Sequence, residues 1–246
     1  MPILSAFGAA SARGFNPQSL APIVEGEYSY SFNGTNEYLW VDNNNALAPG
    51  SQWVVEMFIN VSSLPSEDKT LFNVGLEQET YILGTFEILL ATDGTIKLRR
   101  STLSSFQTLT TSNSVTTNTW AYIAVSGGTS SADNGVKMWI NGTEGYSDTT
   151  FRNWRSTLST DVFIGRNNST SPKYFGGRIS NLRYRTGVAI TTAPVPTSPL
   201  TNVSNTKLLT CQSSTIVDNS TANSGGPWTI NDVNSVGISP TSPFYP

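Results

Sequence analysis

From Glu25 onward the chain alternates between apolar and polar positions. The stretches "YSYSFNG" (28–34) and "EYLWVD" (37–42) show this period of two, and Gly34-Thr35-Asn36 separates them. A period of two marks a strand with one buried face. In "QWVVEMFINV" (52–61), Trp53, Val55, Met57, Ile59 and Val61 share one face while Val54 and Phe58 lie on the other. Such a strand is expected to be partly covered on both sides. "FEILLATDGTIKLRR" (86–100) reads as a hairpin, with Ile88, Leu90, Ile96 and Leu98 alternating around Asp93-Gly94. That dipeptide can take the positive φ values of a type I′ turn. "TWAYIAVSGG", "VKMWINGTEGY", "DVFIGR" and "GRISNLRYRTG" continue the pattern, and "KLLTCQ" and "PWTIND" supply the last strands.

No helix-period segment longer than about ten residues interrupts these runs. The economical architecture is one β-sandwich of many antiparallel strands. "APVPTSP" (193–199) is a proline strap that cannot enter a ladder interior, and the terminal "SPTSPFYP" is too proline-rich for a strand. Residues 1–24 are different in kind. They are small and apolar, with Phe7 and Phe15 as the only aromatic side chains and Arg13 as the only charged one, and Gly8 weakens a short helix around 5–12. They read as an extended arm that gains by lying on another surface. The expected organisation is an arm (1–24), one domain (25–232) and a C-terminal tail (233–246).

Composition narrows the chemistry. Charged residues make up only 13% of the 246, and Ser, Thr, Asn and Gly supply the polarity, which suits many short turns. Net charge is −3 with no dominant basic patch, so no nucleic-acid partner is expected. Arg99-Arg100 and Arg183-Tyr184-Arg185, the densest basic spots, read as the solvent side of strands. The absence of histidine excludes Ser-His and Cys-His catalysis and histidine zinc sites. The single cysteine, Cys211, excludes an intramolecular disulfide and reads as a small buried apolar residue in a closing strand. "PILSAFGAASARG" lacks the charged start and long apolar core of a signal peptide, and no stretch of about 18 apolar residues exists to span a membrane. The sequons at Asn33, Asn60 and Asn141 carry no weight in so Asn/Thr-rich a chain.

The run "NTWAYIAVSGG…GVKMWINGTEGY…DVFIGR…YFGGRISNLRYRTGVAI…SPLTNVSNTKLLTCQSSTIVDNS" resembles the concanavalin A-like, laminin-G/pentraxin-like jelly rolls. More narrowly, it resembles the version found in structural proteins of tailed bacteriophages. The likeness covers roughly residues 27–232, and the closing "LLTCQ" with Asp218 and Ser220 is its most specific element. It implies an all-β, antiparallel jelly-roll β-sandwich whose residues 206–232 return to pair beside the first strand. Asp218-Asn219-Ser220 reads as an Asx-type turn.

Some members of this fold are glycoside hydrolases, which need two carboxylates at fixed separation. The E-x-D-x-x-E strand motif of such relatives is missing, and Glu77-Gln78-Glu79 lies in loop-like text. No enzymatic activity is expected. Some relatives bind calcium; Asp42-Asn43-Asn44-Asn45 and Asp133-Asn134 are possible donors, each with a single carboxylate, so turn formation is the default and no cofactor is expected. Glycan binding needs flat aromatic faces with amide or hydroxyl partners. Tyr146, Asn153, Trp154, Arg155, Asn167, Asn168 and Tyr174 offer that mix. Trp139 sits on the mixed face of its strand and is either an anchor for a neighbouring subunit or covered by a loop.

Two readings stand from the sequence. In the first, implied by the resemblance, the chain is a virion structural protein made in the bacterial cytoplasm. It would dock on other capsid or tail proteins, or on its own copies, through Phe7, Arg13, Phe15 and Trp139. In the second it is a lectin-type module for host glycans. A glycan hydrolase is the remaining alternative.

Overall fold

The computed structural model describes residues 26–42, 45–75, 85–102, 104–128, 135–150, 161–221 and 227–245. The chain-order strands are β1 (Ser29–Asn33), β2 (Tyr38–Val41), β3 (Trp53–Asn60), β4 (Lys69–Val74), β5 (Phe86–Leu90), β6 (Thr95–Ser101), β7 (Phe106–Ser114) and β8 (Ala121–Gly127). They continue with β9 (Val136–Ile140), β10 (Thr143–Asp148), β11 (Val162–Ile164), β12 (Gly176–Thr186), β13 (Thr206–Thr210), β14 (Ile230–Val233) and β15 (Gly237–Ser239). One 3₁₀ turn, Asn45–Leu47, is the only helical element among the described residues.

Two antiparallel sheets form a jelly-roll sandwich. The first runs β10-β9-β8-β3-β12-β1-β15, with β13 also on β12. The second runs β14-β2-β11-β4-β5-β6-β7. The inward residues of both make one core, in which Trp53 of β3 stacks on Phe86 of β5 across the two sheets at 3.9 Å between ring centres. Gly127 faces that indole, and a Cβ there would overlap it, which is why β8 ends on a glycine. The two-sided reading of β3 holds: Trp53, Val55, Met57, Ile59 and Val61 enter the core, and Phe58 is buried on the opposite face.

Three local expectations need correction. The type I′ turn is Asn141-Gly142 (φ 50° and 78°), between β9 and β10, where both central residues are left-handed. At Asp93-Gly94 only Gly94 has positive φ, and Thr92-Asp93-Gly94 forms a three-residue loop closed by Ala91 N–H to Thr95 O. The closing strands also pair differently. β13 lies on β12 and β14 on β2, while the strand beside β1 is Gly237–Ser239, outside 206–232. The tail boundary drawn after residue 232 falls inside β14.

β12 makes this arrangement work. Its first half pairs with β1 and its second half with β13. The partner changes at a bulge around Asn181, whose φ is +52°. The Asn181 backbone N–H donates to Cys211 O (2.9 Å), its amide donates to Gly26 O (3.2 Å), and its Oδ1 accepts from Leu200 N–H (3.0 Å). Asparagine tolerates the left-handed conformation and satisfies three neighbouring segments at once. Cys211 follows β13 with φ +61° and is fully buried in the core. Burial pushes its thiol well above the ordinary value, which removes the reactive thiolate.

Asp218 staples the closing segment. Its Oδ1 accepts from Leu209 N–H and Ser220 N–H, and its Oδ2 from Ser220 Oγ–H and Trp228 N–H, all at 2.9–3.0 Å. The Ser220 bond is the expected Asx turn. The remaining bonds tie β13 to the segment carrying Trp228, whose indole N–H donates to Lys207 O.

Candidate functional site

The outer face of the second sheet carries a continuous row. In successive register, Asn231, Trp40, Phe163, Asn73, Glu87, Arg99 and Thr108 are neighbours across β14, β2, β11, β4, β5, β6 and β7. Seven strands at the usual inter-strand spacing make this row about 29 Å long. Its aromatic end is reinforced by the β11–β12 connection. The Arg166 guanidinium lies 4.6 Å over Tyr38, 5.2 Å from the Phe163 ring and 5.7 Å from that of Tyr174. Trp40 stacks with Phe163 at 6.5 Å, and Tyr38 packs against both Phe163 and Tyr174. Arg166 Nε–H donates to Asn167 O at 2.7 Å, which fixes the guanidinium over the rings. Among the described residues, no carboxylate lies within ion-pair distance of Arg166 or Lys173.

The polar end is buried. Glu87 is 0% exposed, with Arg99 Nε 2.9 Å from its Oε1 and Thr70 Oγ–H donating to its Oε2 at 3.1 Å. Burial raises the Glu87 carboxyl above its ordinary value, and Arg99, Thr70, Lys173 and Asn167 oppose the rise. Arg99 also stacks on Phe106 at 4.6 Å. Asn167 is fully buried and its Oδ1 accepts from Lys173 N–H at 2.9 Å. The pairing of Arg99 with Glu87 is poorly aligned, so Arg99 Nε and Nη2 and Glu87 Oε1 form no directed hydrogen bond.

Of the residues expected at a glycan site, Asn167, Asn168 and Tyr174 therefore lie in one connection beside this row. Tyr146 does not join them. It sits on β10, packs on the core and donates its hydroxyl hydrogen to Asp148 at 3.2 Å. Asn153, Trp154 and Arg155 lie outside the described residues, as do Glu77, Glu79, Asn43, Asn44, Asp133 and Asn134, and the arm residues Phe7, Arg13 and Phe15. Asp42 is exposed, and among the described residues no three of His, Cys, Asp and Glu converge. Sequence reasoning missed Tyr38, Trp40, Phe163 and Arg166. The first three are outward residues of alternating strands, and the signal was their aromatic character on a face expected to be polar.

Trp139 is a correction. It is 2% exposed and packs with Phe58, Tyr122, Ala124 and Ala193, with Trp120, Ile190 and Phe244 around them. The proline strap and the C-terminal segment cover it, so it offers no surface to a neighbour. Arg99 and Arg183 are a second correction, since both are held in ion pairs rather than facing solvent.

A family model described as the concanavalin A-like lectin/glucanases superfamily matches residues 33–193. No curated protein matches. Among solved structures, the heptameric SAP-like pentraxin of Limulus polyphemus is similar over 91% of this chain and 98% of its own, at 15% identity and a TM-score of 0.59. A protein of Bacteroides ovatus described as a "putative carbohydrate binding protein" is similar over 88% of this chain and 60% of its own, at 16% identity and 0.57. The CBM40 module of a Ruminococcus gnavus sialidase, solved with α2,3-sialyllactose, is similar over 69% of this chain and 94% of its own, at 14% identity and 0.51. These likenesses bear out the concanavalin A-like fold. The expected bacteriophage origin and virion partners gain no support from them.

Proposed function

We propose that this chain, which belongs to the concanavalin A-like lectin/glucanases superfamily, is a non-catalytic module that binds a glycan along the outer face of its second sheet. The carrying observation is the aromatic cluster of Tyr38, Trp40, Phe163 and Tyr174 around Arg166, continuing into a polar row. Sugar rings stack on flat aromatic faces, and amide, hydroxyl and guanidinium groups fix their hydroxyls. Phe163, Asn73 and Glu87 are buried in the middle of the row, so the sugar would seat at its partly exposed end, on Tyr38, Trp40, Tyr174 and Arg166. Glu87 is the row's single carboxylate and is held by Arg99, whereas glycoside hydrolysis uses two. The CBM40 module of the Ruminococcus gnavus sialidase, solved with α2,3-sialyllactose, shares the fold, which supports the reading.

The test is a glycan array followed by calorimetry on the best binder. Trp40→Ala and Arg166→Ala are each expected to cost about 2 kcal/mol of affinity, roughly 30-fold, with an unchanged melting temperature. Absence of any bound glycan, or full affinity in both variants, overturns the proposal. The resemblance to bacteriophage structural proteins makes a virion surface the place we propose for such a module. Labelling and imaging purified particles tests that placement, and its absence from particles ends it.

A further inference from the structure

The opposite face of the molecule holds a second site. On the outer side of the first sheet, the segment 190–201 crosses β3, β8 and β12 as a strap. Pro194, Pro196 and Pro199 lack the N–H groups that would let the strap join a ladder, so it stands off the sheet. Between strap and sheet lies a cavity of about 490 Å³. That is within the range of small-molecule sites.

The floor of the cavity is charged and unbalanced. Its lining includes one carboxylate, Glu56, and two guanidinium groups, Arg183 and Arg185. Glu56 is already committed. Its Oε2 accepts from Arg183 Nε–H and Nη2–H at 2.9 and 2.7 Å, and its Oε1 accepts from the Tyr122 hydroxyl at 2.8 Å. Arg183 is committed too, since its Nη1–H donates to Thr201 O at 3.0 Å. Arg185 is left over. Its Nη1 reaches only to 3.9 Å from Glu56, and its Nε is buried without a hydrogen-bond partner. Burial pulls this guanidinium below its ordinary value, Glu56 opposes the shift, and Arg183 adds to it. A guanidinium whose side chain is 17% exposed and whose nearest carboxylate is 3.9 Å away calls for an anion. Thr192, Thr197 and Ser198 of the strap place hydroxyl-bearing residues around the same space.

We propose that this cavity is a binding site for a small oxyanion, a carboxylate or phosphate group, held by the free edge of Arg185 and the strap hydroxyls. A guanidinium edge matches two oxygens of such a group, and the bonds are charge-assisted. The site is distinct from the glycan face, because the two lie on opposite sheets.

The experiment is thermal unfolding of the full chain titrated with sodium phosphate and, separately, sodium acetate, against sodium chloride at matched ionic strength. A saturable rise of about 5 °C over the chloride baseline is expected for at least one anion. Arg185→Gln should weaken the midpoint by about tenfold or more, and Arg185→Lys should restore part of it. Because Arg185 is partly buried, the wild-type Arg185 Nε–H resonance provides a second reading. It should shift along the same titration curve, and the Arg183 Nε–H should not. No saturable effect beyond chloride, an identical response in Arg185→Gln, or an unmoved Arg185 Nε–H overturns the proposal. A response to phosphate alone, or to acetate alone, supports it and identifies which group the site takes.

Discussion

Each sheet carries a glutamate–arginine pair on its outer face, and the two pairs are built differently. On the first sheet, Glu56 accepts three hydrogen bonds at 2.7–2.9 Å from Arg183 and Tyr122, beneath a strap that also buries Trp139 and Phe58. On the second, Glu87 is more deeply buried, yet its one cation lies at 2.9 Å in poor alignment and burial raises its carboxyl. A buried carboxylate held by three well-aligned hydrogen bonds keeps one geometry. A buried carboxylate with incomplete partners keeps electrostatic capacity in reserve, and functional sites are where such groups concentrate. Asn181 and Arg183 of β12 thus prove structural, Asn181 shaping the bulge and Arg183 neutralising Glu56. The proposed glycan face is thus the one that carries the incompletely partnered acid.

The largest expected effect breaks the well-made pair. Arg183→Ala leaves the buried Glu56 carboxylate with the Tyr122 hydroxyl and the Arg185 guanidinium 3.9 Å away, and should destabilise the fold by about 3–5 kcal/mol in urea unfolding. Arg99→Ala on the other sheet should cost less, about 1–3 kcal/mol, because Glu87 is already inclined to take a proton and shed its charge. Equal losses at neutral pH would mean that the two pairs are equivalent and would remove the contrast.

Glu87→Gln sharpens the comparison through pH. The folded value of Glu87 lies above its ordinary 4.5. The stability contributed by its protonated form is therefore fully present below about pH 4.5 and lost as pH rises through the folded value. Glutamine has no such dependence. The variant should gain stability relative to wild type as pH rises from 4.5, and the difference should level off above the folded value. A difference that instead grows as pH falls below 4.5 would show that Arg99 wins over burial. The stability difference between the two proteins at neutral pH should stay near 1 kcal/mol, since Arg99 keeps Phe106 beneath it.

The sequence shows the sandwich because β6 alternates cleanly and β3, β5 and β9 each keep an unbroken apolar face. It hides β4, β7 and β15. "KTLFNV" buries Thr70 and Asn73 on its outer side, so both faces are inside and no polar face marks the strand. β7 presents Leu109 as its lone aliphatic side chain amid Ser, Thr, Asn and Gln, and β15 is three residues long. The site follows the same logic. Asn167, Asn168 and Tyr174 are visible as amides and an aromatic in one turn-rich stretch. The row of Trp40, Phe163, Asn73 and Glu87 is not, because it exists only once β2, β11, β4 and β5 stand side by side, and that order belongs to the topology. Arg99 and Arg183 illustrate the remaining gap: period two says which way a side chain points, and not whether a strap or a neighbouring strand will cover it.

The smallest expected effects concern pairs that differ in sheet but not in setting. Lys97–Asp68 lies on the second sheet at 2.9 Å, with both side chains 26% exposed, and Lys137–Glu144 on the first at 2.8 Å, with 17% and 40%. If burial and hydrogen bonding, rather than the sheet itself, separate Glu56 from Glu87, these two exposed pairs should be alike. Double-mutant cycles to alanine should give about 0.5 kcal/mol for each, and 1 M salt should erase most of it. A coupling above about 1 kcal/mol for Lys97–Asp68 alone would mean that the whole outer face of the second sheet is shielded from solvent. The raised Glu87 carboxyl would then be a property of that face, and the aromatic cluster around Arg166 would share the strengthened electrostatics that a ligand meets there.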